Sequence, residues 1–139
     1  MKSIHQRHRV KTGKRSEKLA ERYLKSLGLL HVEPIETGWV ILRSGNRIKS
    51  AFPKKKVSGD FIAMEPETAR LVHIEVKHRQ ADRLPWSVFE DHQIEKMNAK
   101  TEDGALCLVL WVRGMEIKSL RWPIPGFGPR KSIKWEKIK

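Results

Sequence analysis

Leu71-Val72-His73-Ile74-Glu75-Val76-Lys77 is the stretch that decides the fold. It alternates as a strand does, so Val72, Ile74 and Val76 point to one side, into a core. Glu75 and Lys77 point to the other side, roughly 7 Å apart along the strand. His73 joins their face. Just upstream, Asp60 to Met64 reads as a second strand, and Glu65-Pro66-Glu67-Thr68 between the two is a hairpin turn. An antiparallel hairpin of this kind brings the Asp60 and Glu75 carboxylates to one end of a sheet, within the span of a divalent cation.

Downstream, Ser87-x-x-Glu90 has the form of a capping box. It predicts a helix from Val88 to about Ala99, with Phe89, Ile94 and Met97 as its apolar stripe. Leu106 to Val112 is a strongly apolar strand, Arg113-Gly114 turns the chain, and Met115 to Trp122 pairs back. The intervening helix permits a parallel crossover from the Glu75 strand to the Leu106 strand. Upstream, a helix begins near Thr12 or Ser16. Leu19, Ala20, Tyr23, Leu24 and Leu27 form its stripe, and Gly28 is its C-cap. Trp39 to Leu42 is a short strand. The order helix, strands, helix, strands predicts a small α/β domain over 16–129.

Charge frames that domain. The chain has 139 residues with 29 Lys and Arg against 16 Asp and Glu, a formal net charge of +13. Such a surface favours polyanionic partners and salt-sensitive association. Residues 1–15 carry six Lys or Arg and no acid, and read as a flexible basic arm. Residues 43–56 hold another six (Arg43, Arg47, Lys49, Lys54, Lys55 and Lys56), with Ser44-Gly45-Asn46 as a turn. That segment is either a hairpin or an exposed basic loop. Pro123, Pro125 and Pro129 end regular structure, and 130–139 reads as a mobile basic tail. The single cysteine, Cys107, lies in an apolar strand and is a core residue. No apolar run of roughly 20 residues and no signal-type segment occurs, so no membrane partner is expected and a cytoplasmic location is.

Two further polar residues fall on helix faces that border the core. Glu17 lies about 90° from the centre of the first helix's stripe. Gln93 falls inside the second helix's stripe, where a buried amide must find partners. Taken singly, each residue has a plain structural reading: Glu75 and Lys77 as a surface ion pair, Asp60 as a turn residue, Glu17 as a solvated acid, Gln93 as a core amide. The six histidines lack metal-ligand spacing such as H-E-x-x-H.

In combination, Gly59-Asp60 … Glu75-Val76-Lys77 resembles the PD-(D/E)xK nuclease motif. The wider pattern is similar to Holliday-junction resolvases of the archaeal type and their RecU-like bacterial relatives. Ser16-Glu17-Lys18-Leu19-Ala20-Glu21 through Leu27-Gly28 resembles their first helix, and Phe89-Glu90-Asp91-His92-Gln93 their helix after the lysine strand. The resemblance covers about residues 12–122. Two departures stand out: the proline before the aspartate is Gly59, and the interval from Glu17 to Asp60 is lengthened by the basic 43–56 segment.

The resemblance implies a restriction-endonuclease-like core, a central mixed sheet of about five strands flanked by helices. It implies a metal-dependent endonuclease that resolves four-way DNA junctions as a homodimer. Asp60, Glu75 and the Val76 carbonyl would hold Mg²⁺ or Mn²⁺, with Glu17 acting through water. Lys77 would act on the attacking water or on the transition state, and Gln93 on Lys77 or the phosphate. DNA would lie along Lys14, Arg15, the 43–56 segment, His78, Arg79 and Arg83, and exposed Trp111, Trp122 or Phe127 would supply the dimer contact. Two alternatives stand beside it: a related restriction- or repair-like nuclease acting on duplex, flaps or ends, and a non-catalytic basic nucleic-acid-binding protein.

Overall fold

In the computed structural model, which describes residues 17–35, 39–45, 47–53 and 60–139, the decisive strand lies at the middle of a five-stranded mixed sheet. That strand, β5 (Leu71–His78), pairs antiparallel with β4 (Phe61–Met64) in the register Phe61↔Ile74 to Met64↔Leu71. On its other side it pairs parallel with β7 (Leu106–Arg113), Glu75 standing opposite Val109. The connection between them carries α2 (Asp91–Glu102), as a parallel crossover requires. β8 (Glu116–Trp122) returns antiparallel to β7 through a turn in which Gly114 takes φ +62°, a conformation that glycine adopts without strain. β1 (Leu30–Pro34) closes the other edge against β4, giving the order β1-β4-β5-β7-β8.

Two separate two-stranded ribbons complete the described strands. β2 (Trp39–Ser44) and β3 (Arg47–Pro53) form a hairpin, so the turn at Ser44-Gly45 takes the first of the two forms open to the basic segment. β6 (Arg83–Pro85) pairs with β9 (Ser132–Lys134). This second pairing corrects the expectation of a mobile tail over 130–139. The tail follows β9 with a single 3-10 turn that buries Trp135, and Ile138 is buried beyond it. Lys118 Nζ donates to the carbonyls of Trp135 at 2.8 Å and Ile138 at 3.0 Å, fixing the chain end to β8. Two apolar side chains thus outweigh the six charges that made the tail read as solvated.

Each face of the sheet has its own core. On one, the helix α1 (17–26) packs Ala20 and Leu24 against Phe61, Val72, Ile74, Val76 and Leu110. Gly28, at φ +86°, ends that helix, its N–H donating to the Lys25 carbonyl at 3.0 Å. On the other face, Met97 of α2 packs with Phe89, Cys107, Val109, Trp111, Trp122 and Trp135. Trp122 stacks on Trp86 with ring centroids 5.7 Å apart, and Trp111 meets Trp135 edge-on at 4.9 Å. Both indoles also donate hydrogen bonds, Trp122 to Asn98 Oδ1 and Trp111 to the Arg79 carbonyl. The aromatic set is therefore core, and Trp111 and Trp122 cannot serve as an exposed dimer contact.

α2 also starts later than expected. Trp86–Val88 is a 3-10 turn, and Glu90, not Ser87, is the N-cap. Glu90 forms a capping box with Gln93, each side chain bonding the other's backbone N–H. Phe89 consequently lies before the helix, packing into the core from the loop. Among the described residues, no helix is long and apolar enough to cross a membrane.

Candidate active site

The face of β5 that carries His73, Glu75 and Lys77 is buried, not a half-exposed surface. His73 is fully buried, Glu75 is 3% exposed, and the Lys77 side chain is 15% exposed. The cause is α2, which lies over this part of the sheet. Gln93 and Met97, one turn apart, face it, and Lys100, two turns from Gln93, follows on the same side. Asp60 immediately precedes β4. Since Phe61 pairs with Ile74, the next step in the register sets Asp60 beside Glu75.

Lys77 is held from two directions. Its ammonium donates to Gln93 Oε1 at 2.8 Å and lies 3.5 Å from Glu75 Oε1. It also sits 5.1 Å from the centre of the Phe89 ring, a cation–π distance. Gln93 Oε1 additionally accepts the Glu90 N–H at 3.0 Å. The helix cap thus fixes the orientation of the amide, and the amide fixes the lysine. The partner that a buried Gln93 required is Lys77.

The carboxylates perturb one another. Burial pushes the Asp60 carboxyl up to about 7, with the neighbouring Glu75 charge adding to the rise and Lys96 and Lys77 opposing it. Burial acts on Glu75 in the same upward sense. The nearby His73 ring, the Lys77 charge and its contact with Asp60 together outweigh that, and hold Glu75 below the ordinary carboxylate range. Below about pH 7 the pair therefore carries one proton, chiefly on Asp60.

Two oxygens of this pair, Asp60 Oδ1 and Glu75 Oε1, are buried without a hydrogen-bond partner. An unpaired buried oxygen costs about 1–3 kcal/mol, more when charged. As hard carboxyl oxygens, and with Asp60 deprotonated, these two atoms suit Mg²⁺ or Mn²⁺ rather than a soft metal. Glu17 is half-buried at the start of α1, and among the described residues no three His, Cys, Asp or Glu side chains form a metal-holding group.

The basic residues expected along DNA divide into several groups. Arg79 and Arg83 adjoin each other just past β5, Arg79 Nε donating to the Arg83 carbonyl at 2.8 Å. His78 is exposed but, by strand alternation, follows Val76 onto the face opposite Lys77. Arg47 is exposed at the start of β3. Arg43 and Lys49 lie in β2 and β3 with side chains outside the described set, and Lys14, Arg15, Lys54, Lys55 and Lys56 lie outside the described residues. A surface hollow of about 490 Å³ is lined by Asp82, Arg83, Arg113, Lys134, Trp135 and Glu136 and lies away from the carboxylates.

Two residues of the site, Lys96 and Lys100, were missed from sequence, whereas His73 was placed on the Glu75 face. Lys96 lies near enough to Asp60 for its charge to act there. Lys100 Nζ stands 3.1 Å from His73 Nδ1, and His73 Nε2 stands 3.8 Å from Glu75 Oε2. Lys100 is seven residues after Gln93, two helical turns, so the helical wheel carried the signal. Ending the helix near Ala99 hid it. No family model matches the chain, and no curated protein matches it significantly.

Proposed function

We propose that this chain is a metal-dependent endonuclease with a restriction-endonuclease-like core, acting on DNA and, most specifically, on four-way junctions. The observation that carries this reading is the buried carboxylate pair of Asp60 and Glu75, whose Oδ1 and Oε1 accept no hydrogen bond, beside a lysine locked by Gln93. Asp60, Glu75 and the Val76 carbonyl would hold Mg²⁺ or Mn²⁺, with Glu17 left outside the direct ligand set. When bound, the cation would lower the pKa of an attacking water and offset charge on the scissile phosphate.

The chain's own groups supply the rest. An ammonium has three protons. Lys77 gives one to Gln93 and directs one toward Glu75, leaving a third to donate to a phosphate oxygen or the attacking water. Because Gln93 is itself fixed by the helix cap, that donor is set in place before substrate arrives, as transition-state stabilisation requires. Asp60 must lose its proton to bind a cation, so loading improves as pH rises through about 7.

Recognition would come from charge and shape. With a net charge of +13, contacts fall mainly on phosphates, which position a nucleic acid without reading its sequence. For six to ten such contacts, affinity falls about 10³–10⁵-fold between 50 and 200 mM salt. A flat binding titration over that range contradicts the electrostatic argument.

The deciding experiment is cleavage of an immobile four-way junction beside a linear duplex of the same sequence, with Mg²⁺ and with EDTA. Paired symmetric nicks on the junction alone, lost in EDTA, are expected of a twofold resolvase. Cutting of both substrates keeps the nuclease and removes the junction preference. Binding without cutting in either Mg²⁺ or Mn²⁺ overturns the enzyme.

A further inference from the structure

We propose that Lys100 and His73 form a relay that positions the Glu75 carboxylate for its cation, an inference that rests on reading Asp60 and Glu75 as metal ligands. His73 is fully buried and touches charged groups on both sides of its ring. Lys100 Nζ lies 3.1 Å from Nδ1. An ammonium has no lone pair, so Lys100 donates and Nδ1 accepts. The remaining ring proton is thereby placed on Nε2, the nitrogen that faces Glu75 Oε2 at 3.8 Å.

At that distance the bond is not closed, and Nε2 is a buried donor without a partner. A fully buried donor aimed at a carboxylate that is itself left unsatisfied is costly for folding alone. It becomes useful if Glu75 turns one oxygen to a cation and presents the other to His73. Outer groups that orient ligating side chains in this manner commonly contribute as much as a ligand's own geometry. Lys100 also lines a surface hollow of about 320 Å³ with Leu71, Asp103, Gly104 and Ala105, so its side chain is not part of the apolar core. Neither residue touches the proposed substrate. Both are positioning residues.

The test is Mn²⁺ binding to the full chain by calorimetry, without DNA, with melting in metal-free buffer as the check of folding. Lys100→Met leaves the buried Nδ1 without its donor, so it is expected to stay folded with a lower melting temperature and to bind Mn²⁺ about 10–100-fold more weakly. Lys100→Arg keeps a donor to Nδ1 and recovers most of the loss. His73→Gln carries its amide N–H where Nε2 stands and retains more affinity than His73→Asn, whose amide reaches only as far as Nδ1. A Lys100→Met protein with wild-type Mn²⁺ affinity overturns the relay alone. A wild-type chain that binds no Mn²⁺ overturns the reading of the carboxylates, and the relay with it.

Discussion

β5 has two faces of nearly equal burial and opposite character. Val72, Ile74 and Val76 face α1 with no polar atom among them and at most 5% exposure. His73, Glu75 and Lys77 face α2, with exposures of 0%, 3% and 15%. The first face is what a fold needs: apolar area removed from water, at about 25 cal/mol per Å². The second face removes charges from water and leaves two carboxylate oxygens and a ring nitrogen unsatisfied. Hydrophobic residues of similar volume would hold α2 to the sheet at lower cost. The burden falls on one face of the strand only.

Substitutions on the two faces should therefore fail in different ways. Glu75→Gln keeps the shape of the polar face but removes a ligand charge, so cleavage should drop by about 10³-fold or more, several kcal/mol of transition-state stabilisation, with the fold retained by circular dichroism. Ile74→Ala, one residue away on the other face, should cost about 2–5 kcal/mol of stability by denaturant unfolding. The protein that remains folded should cleave at the wild-type rate. If Ile74→Ala impairs folded enzyme as much as Glu75→Gln does, the two faces are not functionally distinct. Gln93→Leu should produce a smaller effect, about 10–100-fold in cleavage, because Lys77 loses its acceptor while both carboxylates remain. A Gln93→Leu enzyme of full activity would show that Lys77 needs no holding.

The apolar face was almost wholly legible in the sequence, and the polar face only in part. Period-two alternation at Val72, Ile74 and Val76 predicts the strand and its buried side, and the Glu65–Thr68 turn predicts its antiparallel partner. Those signals are local, so they can be read from neighbours in the chain. β1, β6 and β9 lacked them. β6 and β9 are three-residue strands, and their pairing joins segments about fifty residues apart. The tail misled because composition counts charges, whereas docking depends on which side chains bury, here Trp135 and Ile138.

The expected N-cap at Ser87 lies three residues before the actual one, Glu90, because two overlapping caps compete. Glu90 with Gln93 prevails, and it leaves Phe89 free to enter the core. That shift also matters at the site, since it turns Gln93 into a cap residue and a lysine anchor together. Asp60, Glu75, Lys77 and Gln93, all named from sequence, come together. Glu17 does not complete a ligand group with them. Lys100 enters only once the helix runs past Ala99 to Glu102.

The finest separation of the two faces is by pH. Asp60 titrates at about 7 in the folded protein against 3.8 for the free side chain. A group whose folded value is raised binds its proton more tightly in the native state. Its contribution to stability is complete below pH 3.8 and is lost progressively as pH rises to about 7. Asp60→Asn has no proton to lose. Its melting temperature should therefore gain on wild type between pH 4 and pH 8, with the gap levelling off above pH 7. Glu75, held below its ordinary range, titrates in the opposite sense at the acid end, where its stabilisation is lost as pH falls. Adding Mg²⁺ at pH 8 should raise the wild-type melting temperature and leave Asp60→Asn nearly unmoved, because the amide removes one of the two carboxylates that would hold the cation. Parallel melting curves for the two proteins across this range would mean that Asp60 ionises freely, and that the polar face is no more burdened than the apolar one.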